Sequence, residues 1–318
     1  MSKDDVTSKR VALLTGGWSD EREVALKSAR ACEGALREAG FEHVDLIDVA
    51  DEGLLSRLSA GAYDVAFIAM HGRWGEDGCV QGLCELLHIP YTFSHVLASA
   101  MATEKDVAKT VCSAAGIPVP LGGVIEAGTT LDDALVDGLV ERLGLPMFVK
   151  PACNGSSFGV TKVNDRTELL GAISLALEGD GTALVESCVE GTEITVPVLG
   201  NESPDPLPII EIDTGADFYD SKVKYEPSEL HHVIPARIPE EAAELARKYA
   251  VLAHQTLRCS GASRSDFIVR ADGVPVLLET NTIPGMTAAS LMPDSARHAG
   301  IEFPQLCRRF VELALEAN

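Results

Sequence analysis

Twice in the first hundred residues, a short apolar run ends in glycine and gives way to apolar positions at helical spacing. Val11–Thr15 leads into Gly16-Gly17. From about Asp20, Val24, Ser28, Ala31, Cys32, Ala35, Leu36 and Ala39 then keep a 3.6-residue period until Gly40. Val65–Ala69 leads into a second glycine-rich stretch, followed by Val80, Leu83, Cys84 and Leu87 on one helical face. Strands with unbroken apolar runs are covered on both faces, and strands joined by helices pair in parallel. The N-terminal part is therefore expected to be a parallel α/β unit.

The pattern changes after residue 102. Thr103 is placed to cap a helix that carries Val107, Val111 and Ala114 and ends at Gly116. Short strands at Met147–Lys150 and Ala183–Glu186 flank a helix opened by the capping pair Asp165 and Glu168. Beyond about 190 come alternating strands, a long loop at 214–236, a helix from Pro239, a hairpin and a closing helix. A length of 318 residues supports more than one core. The expectation is an α/β and α+β fold in three units, at 1–102, 103–188 and 189–318.

Charge narrows the partners. Forty-eight acidic residues against 26 basic ones leave a net charge of −22. A surface this acidic repels phosphate backbones and anionic lipid, which argues against nucleic acid and membrane surfaces. No apolar run approaches the roughly 18 residues of a membrane span. The start, MSKDDVTSKR, has no apolar signal-peptide core, so a cytoplasmic location is expected. The eight cysteines include no C-x-x-C pair and many lie in apolar stretches, the pattern of buried reduced thiols.

Both N-terminal loops lie at the C-terminal ends of strands, where α/β sheets bind ligands. The amides of Gly16-Gly17-Trp18-Ser19-Asp20-Glu21 can hold an anion at a helix N-terminus. The same residues also read as a tight turn with Glu21 as a first-turn acid. Neither loop is G-x-G-x-x-G and no G-x-x-x-x-G-K-[ST] occurs, so a dinucleotide fingerprint and a P-loop are both missing. Lysine is scarce, ten residues against sixteen Arg. Lys150 ends the apolar strand Met147-Phe148-Val149, where a charge is costly unless paired or liganded. The loop Asn154-Gly155-Ser156-Ser157-Phe158-Gly159 follows, small and hydroxyl-bearing, able to close over phosphate.

The strongest local signal is at 262–281. Alternation puts Arg264 with Asp266 on one face of a strand and Glu279 with Asn281 on one face of the next, with Asp272-Gly273 between. If that pair is a two-residue loop, Asp266 lies opposite Glu279 and Arg264 opposite Asn281. Two carboxylates about 5 Å apart repel by roughly 3 kcal/mol. A cation between them, a shared proton, or neutralisation by Arg264 would each relieve this. Hard oxygen donors in front of an apolar sheet favour Mg²⁺. The long loop, with Phe218, Tyr219, Lys224 and Tyr225, has the length of a lid. His231 and His232 on it have no clear partner and read as solvated.

In this order the segments GGWSDEREVALKSARAC, HGRWGEDGCVQGLCELLHIPYT, VKPACNGSSFGV and LLETNTIPGMTAASLMP resemble the D-alanine–D-alanine ligases of the ATP-grasp superfamily, nearly end to end. The resemblance implies a three-domain ATP-grasp architecture with ATP between the central and C-terminal sheets. It implies joining of two D-alanines, release of ADP and phosphate, a role in peptidoglycan precursor supply, and a homodimer. It also implies two Mg²⁺ sites, with Mn²⁺ as a possible substitute.

The resemblance assigns roles as well. Glu21 would hold the ammonium of the first D-alanine, with His71 nearby and Ser156 and Tyr225 orienting substrate and lid. Lys105, Lys150 and Lys224 would contact the phosphates of ATP. Glu186 and Val189 would meet adenine, and Glu193 ribose. Asp266, Glu279 and Asn281 would bind the metal ions. Arg264 and the Gly285 amide would stabilise the tetrahedral intermediate, while Ser290 and Leu291 would take the carboxylate of the second D-alanine. The chain departs from the family pattern at Asn154, Ser187, Ser221 and Lys222. Other readings are a ligase with D-lactate or D-serine as second substrate, and a non-catalytic paralogue binding nucleotide or D-alanine.

Overall fold

The computed structural model describes residues 6–153, 159–213, 231–287 and 290–316. Arg10–Thr15 (β1), His43–Asp48 (β2) and Val65–Ile68 (β3) form a parallel sheet in the order β2-β1-β3. Val11 to Leu14 and Val65 to Ile68 are fully buried, as their unbroken apolar runs require. Arg22–Glu38 (α1) follows β1, turning Ala25, Ser28, Ala29, Cys32, Ala35 and Leu36 inward. Leu54–Ala60 (α2) follows β2, and Cys79–Leu86 (α3) follows β3.

Two helices, Val96–Thr103 (α4) and Lys105–Ala114 (α5), lead to an antiparallel sheet. Gly122–Glu126 (β4), Met147–Pro151 (β5), Thr161–Val163 (β6) and Thr182–Ser187 (β7) lie in it in the order β4-β7-β5-β6. Asp133–Leu143 (α6) and Leu169–Asp180 (α7) cover one face. The Asp165–Glu168 capping box forms, ahead of a short 3₁₀ turn that leads into α7.

The third sheet holds Thr192–Leu199 (β8), Asp205–Pro206 (β9), Ile210–Asp213 (β10), His231–Val233 (β11), Ala262–Val269 (β12) and Pro275–Asn281 (β13). Its order is β11-β10-β8-β12-β13, with β9 paired to β8. Glu240–Thr256 (α8) packs its alanine face, from Ala242 to Ala253, on this sheet. Leu291–His298 (α9) and Phe303–Glu316 (α10) close the chain. No described helix is long and apolar enough to cross a membrane. All eight cysteines are free thiols, with Cys32, Cys84, Cys112, Cys259 and Cys307 buried.

Core membership does not follow consecutive stretches of chain. Ala102, Ala108, Cys112 and Ile117 pack with the third sheet, while Met292, Ala296, Leu306, Cys307 and Phe310 pack on the first. The latter contact returns the C-terminal helix to the N-terminal sheet, with the Phe310 ring 4.9 Å from that of Phe93 and 6.3 Å from that of Phe67.

Several local expectations are corrected. Thr103 closes α4 instead of capping α5, and its hydroxyl donates to the Glu76 carbonyl at 2.8 Å. The buried face of α5 is Ala108, Lys109 and Cys112, leaving Val107 exposed. That rotation is set by a partner for Lys109, described below. The stretch 214–236 is not a loop throughout, because His231–Val233 returns antiparallel to β10. This places His232 against α9, where its Nδ1 lies 2.8 Å from Asp294 Oδ2, so it is not a solvated residue.

The 262–281 hairpin contains two changes that cancel. Its turn has three residues, not two: Gly273 N donates to Arg270 O at 2.9 Å, and Gly273 takes φ +81° after Asp272. Pairing then runs Val269 to Pro275 and Phe267 to Leu277. Continued unchanged, it would set Leu278 opposite Asp266. A bulge there shifts the register by one, so Asp266 faces Glu279 and Arg264 faces Asn281 as expected.

Phe310→Ala should leave a cavity beneath β3 and cost about 3–5 kcal/mol. Urea unfolding should show the loss as a lower midpoint with little change in slope.

Candidate active site

A cleft opens where the three sheets meet, lined by Gly72 and Glu76 from the first loop system, Lys105 and Cys153, and Glu279 and Asn281 of β13. Near it, linked through the charge of Glu279, lies a set of ion pairs between elements distant in sequence. Glu186 on β7 is buried between two lysines, with Lys109 on one oxygen and Lys150 Nζ 2.8 Å from the other. Lys150 reaches it because β5 pairs with β7 and sets the two residues diagonally across the sheet. Burial opposes ionisation of Glu186, but Lys150 and Lys109 outweigh it and hold the carboxyl below its usual range.

The hairpin supplies the neighbouring charges. Arg264 makes a two-pronged contact with Asp266, at 3.0 Å from Nε and 2.8 Å from the terminal nitrogen. Thr195 Oγ1 also donates to Asp266, and Asn281 Nδ2 lies 3.4 Å from Asp266 Oδ2. Glu279 pairs with Lys105 at 3.4 Å. Each acid of the Asp266–Glu279 pair thus has its own cation in this structure.

Among the described residues, no group of three or more His, Cys, Asp and Glu side chains is gathered as for a metal. The candidate set is two carboxylates and an amide. It suits Mg²⁺ in donor chemistry, being all oxygen, and leaves room for water or phosphate ligands. Each carboxylate has about four lone-pair sites, so a metal can share it with Arg264 or Lys105.

The first loop system brings Glu21, His71 and Glu76 together. Gly72 sits at φ +70°, and a Cβ there would come 2.4 Å from Glu21 Oε2, so only glycine admits the carboxylate. Glu21 is 9% exposed. His71 is 6% exposed, with its Nε2 2.9 Å from Ser28 Oγ. Burial, followed by the charge of Arg264, pushes the imidazole down to about 4, so it is neutral at pH 7. Glu76 accepts from Gly72 N at 2.7 Å. Burial and then Glu21 push its carboxyl up to about 8, although one edge of the side chain still meets the cleft. By contrast, the amide of Gly17 is taken by Asp48 at 3.1 Å, so the first glycine pair works as a turn.

At the far side, Ser290 begins α9 with its hydroxyl 2.8 Å from Thr287 Oγ1 and 3.0 Å from Thr287 N. Gly285 lies against it, where an added Cβ would be 3.0 Å from Ser290 Oγ. Leu291 is the first residue of α9 and is half-buried. Val189 is half-buried in the link between β7 and β8, and Glu193 is half-buried on β8. Ser156, Lys224 and Tyr225 lie outside the described residues.

A family model described as D-ala D-ala ligase C-terminus matches residues 111–312, and one described as D-ala D-ala ligase N-terminus matches residues 52–94. The D-alanine–D-alanine ligase of Pelotomaculum thermopropionicum is 45% identical over 310 residues, 96% of this chain and 97% of that protein. The chain belongs to the D-alanine–D-alanine ligase family. The ligase of Anaeromyxobacter sp. strain Fw109-5 is 46% identical, over 96% of this chain and 97% of its own. Among solved structures, the Bacillus anthracis D-alanine–D-alanine ligase complexed with ATP has a TM-score of 0.83 at 30% identity, covering 98% of each chain. The fold is thus the mixed α/β ATP-grasp architecture of these ligases.

Within this family framework, three contributors were missed in the sequence. Thr195 has no local signal, since its contact with Asp266 depends on β8 lying beside β12. Lys109 stands one helical turn after Lys105, a spacing that puts both on one side of α5. Glu76 sits within the loop already singled out, five residues after His71.

Glu76→Gln should test the charge balance of this site. A carboxyl raised in the fold favours the native state below its unfolded value near 4.5, and that advantage is lost as pH rises toward about 8. Native stability of the wild-type chain should therefore fall relative to the Gln variant between pH 5 and pH 8. Urea titrations of both proteins at the two pH values measure this, and parallel stabilities would contradict it.

Proposed function

We propose that the protein is an ATP-dependent ligase that joins two D-alanine molecules to D-alanyl-D-alanine, releasing ADP and phosphate. The product would serve as a precursor for peptidoglycan. The observation that carries the reading is a cleft lined by Lys105 and Glu279, with Asp266 and its partner Arg264 on the strand facing Glu279 and with Lys150 within reach of the Glu279 charge. Membership in the ligase family and a solved relative complexed with ATP support it.

The chemistry follows from the residues. A carboxylate is a poor electrophile, so the γ-phosphoryl of ATP passes first to the carboxylate of one D-alanine, leaving ADP. That transfer asks for positioning and positive charge more than for a nucleophilic side chain, and Lys105, Lys150 and Arg264 supply it. Lys224 is assigned to the same phosphates. Asp266, Glu279 and Asn281 are the residues that would hold Mg²⁺, which supplies charge neutralisation for the phosphoryl group when bound.

Glu21 holds the first D-alanine by its ammonium, with neutral His71 packed behind and Ser156 and Tyr225 completing the set. The deprotonated amine of the second D-alanine attacks the acyl carbon. Its carboxylate rests on Ser290 and Leu291 at the start of α9. Arg264 and the Gly285 amide face the oxygen that gains charge, and phosphate leaves as the amide bond forms. Glu186 and Val189 hold adenine and Glu193 the ribose. A homodimer in the cytoplasm completes the proposal.

A coupled assay of ADP release tests it. The signal should require D-alanine and Mg²⁺, and L-alanine should not replace the D-isomer. Asp266→Asn and Glu279→Gln should each lower kcat on the order of a hundredfold or more. ADP release independent of D-alanine would overturn the function, and full activity in both variants would overturn the metal assignment.

A further inference from the structure

Lys109 is a buried lysine, 6% exposed, for which the proposed reaction has no role. It comes from α5, while Lys150 comes from β5, and both close on the single carboxylate of Glu186 on β7. Glu279 of β13 is the other acid whose charge reaches it.

We propose that Lys109 is a positioning residue, which cancels the charge of Glu186 so that Lys150 is available to a triphosphate. The inference rests on the reading of Lys150 as a phosphate ligand. Its basis is charge arithmetic within a buried trio. Lys150 and Glu186 alone are a neutral pair at 2.8 Å and offer little attraction to an anion. With Lys109 protonated on the second oxygen of Glu186, the trio carries one positive charge in excess.

That excess is costly in the empty cleft. Burial, then the neighbouring Lys150, pushes Lys109 down to about 7, against the opposing pull of Glu186 and Glu279. A polyanion beside Lys150 relieves the cost, so the excess is recovered when nucleotide binds. The arrangement also explains why α5 buries Lys109 and leaves Val107 in solvent.

Steady-state kinetics of five proteins separates this role from a structural one: wild type, Lys109→Met, Lys109→Arg, Lys150→Met and the double variant Lys109→Met/Glu186→Gln. Lys109→Met should raise KM for ATP about tenfold, with KM for D-alanine nearly unchanged. Lys109→Arg should restore most of the affinity. The double variant should bind ATP better than Lys109→Met alone, because Glu186→Gln removes the acid's charge and frees Lys150 while its amide oxygen still offers adenine an acceptor. A purely structural lysine would lower the active fraction without moving KM, and the second substitution would not repair it.

A KM for ATP within about twofold of wild type in Lys109→Met overturns the proposal, as does a double variant no better than the single one. Should Lys109→Met fail to fold, Lys109→Gln replaces it in the same comparison. Lys150→Met with unchanged KM for ATP would remove the phosphate reading, and this inference with it. Weak ATP binding in Lys150→Met beside a normal Lys109→Met would overturn this inference alone.

Discussion

The cleft depends on matching each acid to a cation, which for Glu186 and Glu279 arrives from another element and for Asp266 from its own strand. Glu186 is held by Lys109 and Lys150, Asp266 by Arg264, and Glu279 by Lys105. A lone buried carboxylate costs several kcal/mol, so these pairs are also what lets the charged residues of the second and third sheets be buried beside α5. They draw on α5, β5, β7, β12 and β13, and none joins neighbours in a single helix. The charge of −22 makes the arrangement necessary as well as possible. An acidic surface does not attract ATP, so the few lysines must be concentrated where a nucleotide is to be held.

Register is the second constraint. A strand shifted by one residue sends every side chain to the opposite face, and the three-residue turn at 271–273 would by itself bring Leu278 against Asp266. The bulge beside Asp266 restores Glu279 to that place. The acidic pair is therefore maintained by two irregularities of opposite effect. A regular hairpin with a two-residue turn would give the same facing residues at Asp266 and Arg264.

The first loop system shows a different solution to like charge. Glu21 and Glu76 lie near each other, and burial together with Glu21 favours the protonated form of Glu76 against the smaller pull of Arg264 and Lys105. A site of this kind suits an incoming ammonium, because its charge lets a second carboxylate ionise. His71, neutral beside it, adds no competing positive charge.

Much of this was legible in local order. The apolar runs at Val11 and Val65 determined a parallel sheet, since only strands covered on both faces bury such residues. The alternation at 262–281 determined that Arg264, Asp266, Glu279 and Asn281 share an edge, and the ordered motifs carried the family resemblance. Spacing along one segment holds that information because it depends on helix and strand periods alone. What tertiary structure decided was which residues meet across segments. Lys109 faces inward because Glu186 lies on a strand 77 positions away in sequence, and Thr195 reaches Asp266 because β8 borders β12. His232 gains Asp294 by the return of β11. Those contacts follow from packing, where long-range neighbours set the energy of a buried charge, and no periodicity within a segment encodes them.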